Sequence, residues 1–83
     1  MSDNKITIYG AEWCPPCHVA KQYLKSKDIG YDYIDVDKVE GAAQKATELS
    51  GQRAIPIIDI DGSIVVGFDR PTIDHLLETK QLV

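Results

Sequence analysis

The sequence predicts an α/β domain: a mixed four-stranded sheet with helices on both faces, in the order β-α-β-α-β-β-α. Three observations predict it. Short runs of β-branched and aromatic residues alternate with segments whose apolar residues recur at helical spacing. A helix-length segment separates the first two strands, which asks for a right-handed parallel crossover. Asp61-Gly62 stands between two apolar runs, the signal of a two-residue hairpin whose turn positions both want positive φ.

The elements follow in order. Lys5-Ile6-Thr7-Ile8-Tyr9 reads as the first strand, ended by Gly10, and Ala11 to Pro16 forms a loop running into a helix. The helix is expected over His18 to Lys27, with Cys17, Ala20 and Leu24 on one face and Asp28-Ile29-Gly30 closing it. Tyr31 to Val36 is the second strand. Asp37, with Glu40 three residues later, has the pattern of a capping box, so Lys38 to Ser50 is expected as a second helix. Val39, Ala42, Ala43, Ala46 and Leu49 would be its apolar stripe, and Gly51 suits the left-handed position after it. Ile55 to Ile60 and Ser63 to Val66 are the hairpin strands. Asp69 is a candidate N-cap and Pro71 fits a first helical turn, so the last helix carries Ile73, Leu76 and Leu77 and ends near Leu82.

Composition bounds the function. Eighty-three residues suffice for one small domain over 1–83, and 43% hydrophobic with 27% charged residues suits a folded one. A net charge of −4 disfavours phosphate backbones and anionic membranes, so neither nucleic acid nor membrane is expected as a partner. No apolar run approaches the ~20 residues that cross a bilayer. Met1-Ser2-Asp3-Asn4-Lys5 offers no basic leader region, and the cytoplasm is the expected location. Two cysteines three apart, in a chain of that compartment, point to redox chemistry or to half of a metal site.

Trp13-Cys14-Pro15-Pro16-Cys17 stands where a strand passes into a helix. A thiol at a helix N-terminus meets unsatisfied N–H groups and the positive end of the dipole, which favour the thiolate. Thiolate is the form that attacks a disulfide. Cys14 is therefore the expected nucleophile. Cys17, one turn on and sharing the apolar face, is the expected resolving thiol, its burial holding it back as first attacker. Pro15 and Pro16 lose no hydrogen bond in a first turn and stiffen the loop. Glu12 would oppose a Cys14 thiolate if its carboxylate faced the sulfur. A zinc site needs four ligands, and His18 and His75 are the only other histidine or cysteine candidates. No bound cofactor is expected, only a redox-active Cys14–Cys17 disulfide.

On these residues the chain resembles the thioredoxin superfamily. It is most similar to glutaredoxin-like redoxins, and among them to those of the NrdH type. The resemblance rests on the strand Ile6 to Tyr9 running into Cys14-Pro15-Pro16-Cys17, on the element order, on Ile55-Pro56, and on Gly67-Phe68-Asp69-Arg70-Pro71. It implies the thioredoxin fold in its minimal glutaredoxin form, active as a monomeric thiol–disulfide oxidoreductase. It implies a cis Pro56 facing the cysteines, with the Ile55 backbone open to a substrate strand. Trp13, Pro15, Ala54, Ile55, Pro56, Gly67 and Phe68 would form the substrate rim.

The departures bear on the electron donor. Glutathione-using glutaredoxins usually carry a lysine before the first cysteine, a tyrosine between the two, and Thr-Val-Pro. Here Ala11, Pro16 and Ala54-Ile55-Pro56 stand at the matching places. The buried Asp and Lys of thioredoxins are matched by Ile8 and Tyr33, so that proton relay is absent. The Gly-Phe-Arg-Pro stretch of NrdH-type redoxins is similar to Gly67-Phe68-Asp69-Arg70-Pro71, with Asp69 inserted. The resemblance therefore implies reduction of protein disulfides, ribonucleotide reductase being the family's substrate, with thioredoxin reductase as donor. Two alternatives stay open. One is a glutathione-dependent glutaredoxin, and the other is a carrier of iron–sulfur or metal through the cysteine pair.

Overall fold

The computed structural model describes residues 5–82; residues 1–4, read above for a leader, and residue 83 lie outside it. Its elements are β1 (Ile6–Gly10), α1 (Pro15–Ser26), β2 (Asp32–Asp35), α2 (Ala42–Ser50), β3 (Ile57–Ile60), β4 (Ser63–Val66) and α3 (Arg70–Thr79). The order is the one expected. The sheet runs β2-β1-β3-β4. β1 lies parallel to β2, with Ile8 beside Tyr33, and antiparallel to β3, with Ile8 beside Ile58. β3 and β4 are the antiparallel hairpin, turned at Asp61 (φ 49°) and Gly62 (φ 94°).

The two-residue period of the strands decides the layers. Ile6, Ile8, Ile58, Ile60 and Val65 face one side, where they bury Ala20 and Leu24 of α1 and Ile73 and Leu77 of α3. Tyr9 and Ile57 face the other side and meet Ala46 of α2. Each fully buried Ile or Leu contributes about 1.5–3 kcal/mol by leaving water. The main core therefore lies under α1 and α3. A thinner layer lies under α2, whose small alanines let it approach the sheet.

Several boundaries differ from expectation. α1 begins at Pro15, because both prolines fill first-turn positions that need no N–H. It is closed by Asp28 at φ 59°, with the Ile29 N–H reaching the Leu24 carbonyl at 3.0 Å. β3 begins only after Pro56. The capping box does not form: α2 starts at Ala42, behind Gly41 at φ 82° and with no side-chain cap. The Asp37 carboxylate is engaged elsewhere, and Asp35 turns the chain by accepting the Asp37 N–H at 2.8 Å. Val39 and Leu49 are exposed, so the buried stripe of α2 narrows to Ala42 and Ala46. α3 is capped as expected by Asp69, whose carboxylate accepts from the Thr72 N–H at 3.4 Å and from its hydroxyl at 2.8 Å.

Candidate functional site

Cys14 is the N-cap of α1. Its extended backbone (φ −101°, ψ 104°) turns its sulfur back over the first turn, where Sγ accepts the Cys17 N–H at 3.3 Å. Its carbonyl accepts from the same N–H at 3.1 Å and from that of His18 at 3.3 Å. The two sulfurs stand 2.50 Å apart, with Cα atoms 5.3 Å apart, a separation that suits a disulfide. Cys14 is 4% exposed and Cys17 0%, so both are shielded. The order is the one expected from the shared face with Ala20 and Leu24, but the gap is small.

Behind the pair, Ala11, Cys14 and Cys17 form an apolar cluster against which Tyr33 and Ile55 pack. Gly10 makes the approach possible. A Cβ there would stand 2.8 Å from the Cys17 sulfur and 2.5 Å from the Tyr33 hydroxyl. That hydroxyl donates to the Ala11 carbonyl at 3.1 Å. Burial above all, then the negative charge of Asp35 and Glu12 and the neighbouring Tyr31, raises the Tyr33 phenol above its ordinary pKa. The Lys21 ammonium lies 4.2 Å from the centre of its ring.

In front, the loop before Cys14 is tied to the connection after β2. The Trp13 indole N–H donates to Asp37 Oδ2 at 2.6 Å, while its ring is 68% exposed. Lys38 Nζ pairs with Glu12 Oε1 at 2.5 Å, on the surface. The Glu12 carboxylate is thus engaged by an ammonium group, and its hydrogen bond holds Lys38 above the usual lysine range. His18 Nε2 donates to the Glu12 carbonyl at 2.5 Å and so turns to the loop.

A groove of about 830 Å³ opens beside this loop, bordered by Trp13, Val36, Ala46, Arg53, Ala54 and Ile55. Trp13, Ala54 and Ile55 therefore border one groove. The Ile55–Pro56 bond is cis and Pro56 is buried. The Pro56 carbonyl accepts the Gly67 N–H at 2.7 Å, which fastens Gly67 beside it. Pro15 is exposed on the first turn of α1. Phe68 lies apart from the groove. Its ring meets Tyr23 edge-on at 5.5 Å, beside a second hollow with Val19, Gln22 and Arg70. Asp37, Lys38 and Arg53 are the site's neighbours that sequence reasoning did not single out, and Tyr33 reads there only as the place of a missing relay. Trp13–Asp37 and Glu12–Lys38 join residues 24 and 26 apart, beyond any local pattern. Among the described residues no three of His, Cys, Asp and Glu gather as a metal site.

Comparison with known proteins addresses the family. The glutaredoxin family model matches residues 6–65. The glutaredoxin-like 8.6 kDa protein of the rubredoxin operon of Clostridium pasteurianum is 43% identical over 75 residues, 88% of this chain and 97% of that one. The chain belongs to the glutaredoxin family. The glutaredoxin-like protein NrdH of Lactococcus lactis is 33% identical over 67 residues, 81% of this chain and 90% of that one. The crystal structure of the thioredoxin-like protein BC3987 superposes with a TM-score of 0.81 at 33% identity, covering 88% of this chain and 100% of that one. The fold of this glutaredoxin-family protein is thus the thioredoxin-like one, and its relatives imply thiol–disulfide oxidoreductase activity as its general class. No helix among the described residues is long and apolar enough to cross a membrane.

Proposed function

We propose that this glutaredoxin-family protein is a dithiol electron carrier that reduces protein disulfides. The observation that carries it is the Cys17 N–H aimed at the Cys14 sulfur at the head of α1. That donor and the helix dipole favour a Cys14 thiolate. The thiolate attacks one sulfur of the substrate disulfide, and the other leaves as a thiolate that takes a proton from water. Cys17, deprotonated, attacks Cys14 Sγ. The intramolecular disulfide forms, the bond to substrate breaks, and two electrons have passed to the substrate.

The groove beside Trp13 and Ala54 is the seat of the substrate chain, with Trp13 as apolar contact and the backbone at Ile55 as a pairing edge. Thioredoxin reductase recharges the pair. The NrdH relative and Gly67-Phe68-Asp69-Arg70-Pro71 support that donor, and they make ribonucleotide reductase the first substrate to try. The protein acts as a monomer in the cytoplasm. Glutathione is the second reading for the donor, favoured by Arg53, a cation on the groove wall suited to a carboxylate.

The test is NADPH consumption with insulin as disulfide sink, in one arm with thioredoxin reductase and in the other with glutathione and glutathione reductase. Turnover in the first arm alone is expected. Turnover in the second alone establishes the glutathione reading, and turnover in neither overturns the carrier function. Cys17→Ser should lose insulin turnover and accumulate an adduct on Cys14.

A further inference from the structure

Resolution requires Cys17 to become a thiolate, and its place in the fold opposes that. The sulfur is fully buried against Ala11, Cys14 and Ile55, and no polar or charged residue is buried among the described residues. An ion formed in such surroundings needs a hydrogen-bond donor. The Cys17 N–H is spent on the Cys14 sulfur. Among the described residues the Tyr33 hydroxyl is a side-chain donor at hand, since it and the Cys17 sulfur border the same small space at Gly10.

We infer that the Tyr33 hydroxyl turns from the Ala11 carbonyl to the Cys17 sulfur during the resolving step and holds the thiolate there. The inference rests on the roles proposed for Cys14 and Cys17. The exchange leaves no group orphaned, because the Ala11 carbonyl also accepts the Cys14 N–H at 3.3 Å. The phenol stays protonated, and so remains a donor, because burial and the carboxylates of Asp35 and Glu12 raise its pKa. The other charges around it are accounted for. Lys21 of α1 lies over its ring, Glu12 is paired with Lys38, His18 turns to the Glu12 carbonyl, Tyr31 acts on it from the chain just before β2, and the segment before β3 contributes only the apolar Ile55. The Cys17 proton passes to solvent, and the thiolate closes on Cys14 Sγ as above.

The reaction of the reduced protein with excess dithiobis-nitrobenzoate separates the steps. Cys14 attacks first, releasing one aromatic thiolate at a rate proportional to reagent. Cys17 then closes the disulfide and releases a second at a rate that is not. In Tyr33→Phe the midpoint of the second phase should rise by about one pH unit. A thiol of higher pKa is also the better nucleophile once ionised, with a Brønsted slope of about 0.4–0.5. The variant should therefore close about threefold more slowly at pH 7 and about threefold faster on the alkaline plateau, so the two profiles cross. An unmoved midpoint, or a rate lowered evenly at all pH values, overturns the inference. The reagent-dependent first phase reports Cys14 separately, so its loss would instead overturn the proposed nucleophile. A second measurement keeps Tyr33 intact. In Cys14→Ser, the Tyr33 ζ-carbon resonance should shift with the midpoint of Cys17 ionisation, and a resonance unmoved through that titration also overturns the inference.

Discussion

At Gly10 the place of a side chain is occupied by two groups from elsewhere. A Cβ would meet the Tyr33 hydroxyl at 2.5 Å and Cys17 at 2.8 and 3.0 Å. Cys17 is carried on a helix and Tyr33 on a strand, so neither yields cheaply. Gly10→Ala should cost about 1–3 kcal/mol by overpacking, read as a lowered urea midpoint. It should also slow closure of the Cys14–Cys17 disulfide. A midpoint equal to that of the native protein would show that the cluster is slack. The site was only partly legible at this scale. Cys14 and Cys17 announce themselves by their spacing, because helix-terminus chemistry is local. Tyr33 reads in sequence as the place where a charged relay is missing, and only the pairing of Ile8 with Tyr33 across β1 and β2 brings its hydroxyl to the cysteines. Phe68 reads as rim, and its ring packs on Tyr23 beside the second hollow.

Among the elements, α3 and α2 show when capping can be read from sequence. Asp69 meets no competing side-chain partner among the described residues, and it caps α3 through both the N–H and the hydroxyl of Thr72. Asp69→Ala should cost about 1 kcal/mol, within the usual 0.5–2, while Asp69→Asn should cost little. Equal midpoints for the native protein and the alanine variant would sink this. Asp37 has the same local pattern and a different fate, because the Trp13 indole reaches its carboxylate from 24 residues away. α2 therefore starts four residues after the expected Lys38, at Ala42, behind a left-handed Gly41. The hairpin was legible because Asp61 and Gly62 both tolerate positive φ, which the turn uses. Helix-start patterns state what a side chain can do, and tertiary contacts decide what it does.

For the whole molecule, the element order and the two-faced sheet follow from period and turn chemistry, which are properties of the chain itself. A domain of this size holds about 4–12 kcal/mol in all, so single groups are visible in its pH response. Tyr33 and Lys38 are both raised above their ordinary values of 10.0 and 10.5. In each, the fold holds a proton more tightly than the unfolded chain does. Their contributions are complete below the unfolded pKa and are lost as pH rises through the folded one. Stability should therefore fall on the alkaline side, above about pH 10. The exposed Lys38–Glu12 pair adds little to the fall. Urea midpoints at pH 8 and pH 11 would show it, and Tyr33→Phe should flatten part of the drop. A variant that falls as steeply as the native protein would remove Tyr33 from this account.

Trp13 is the chain's single tryptophan, and it stands beside Cys14 with its N–H fixed on Asp37 and its ring in solvent. The molecule thus carries one indole fluorophore, seated at the mouth of its site. Any change in that indole's emission arises where substrates meet the cysteines, and so docking and electron transfer can be watched without a label.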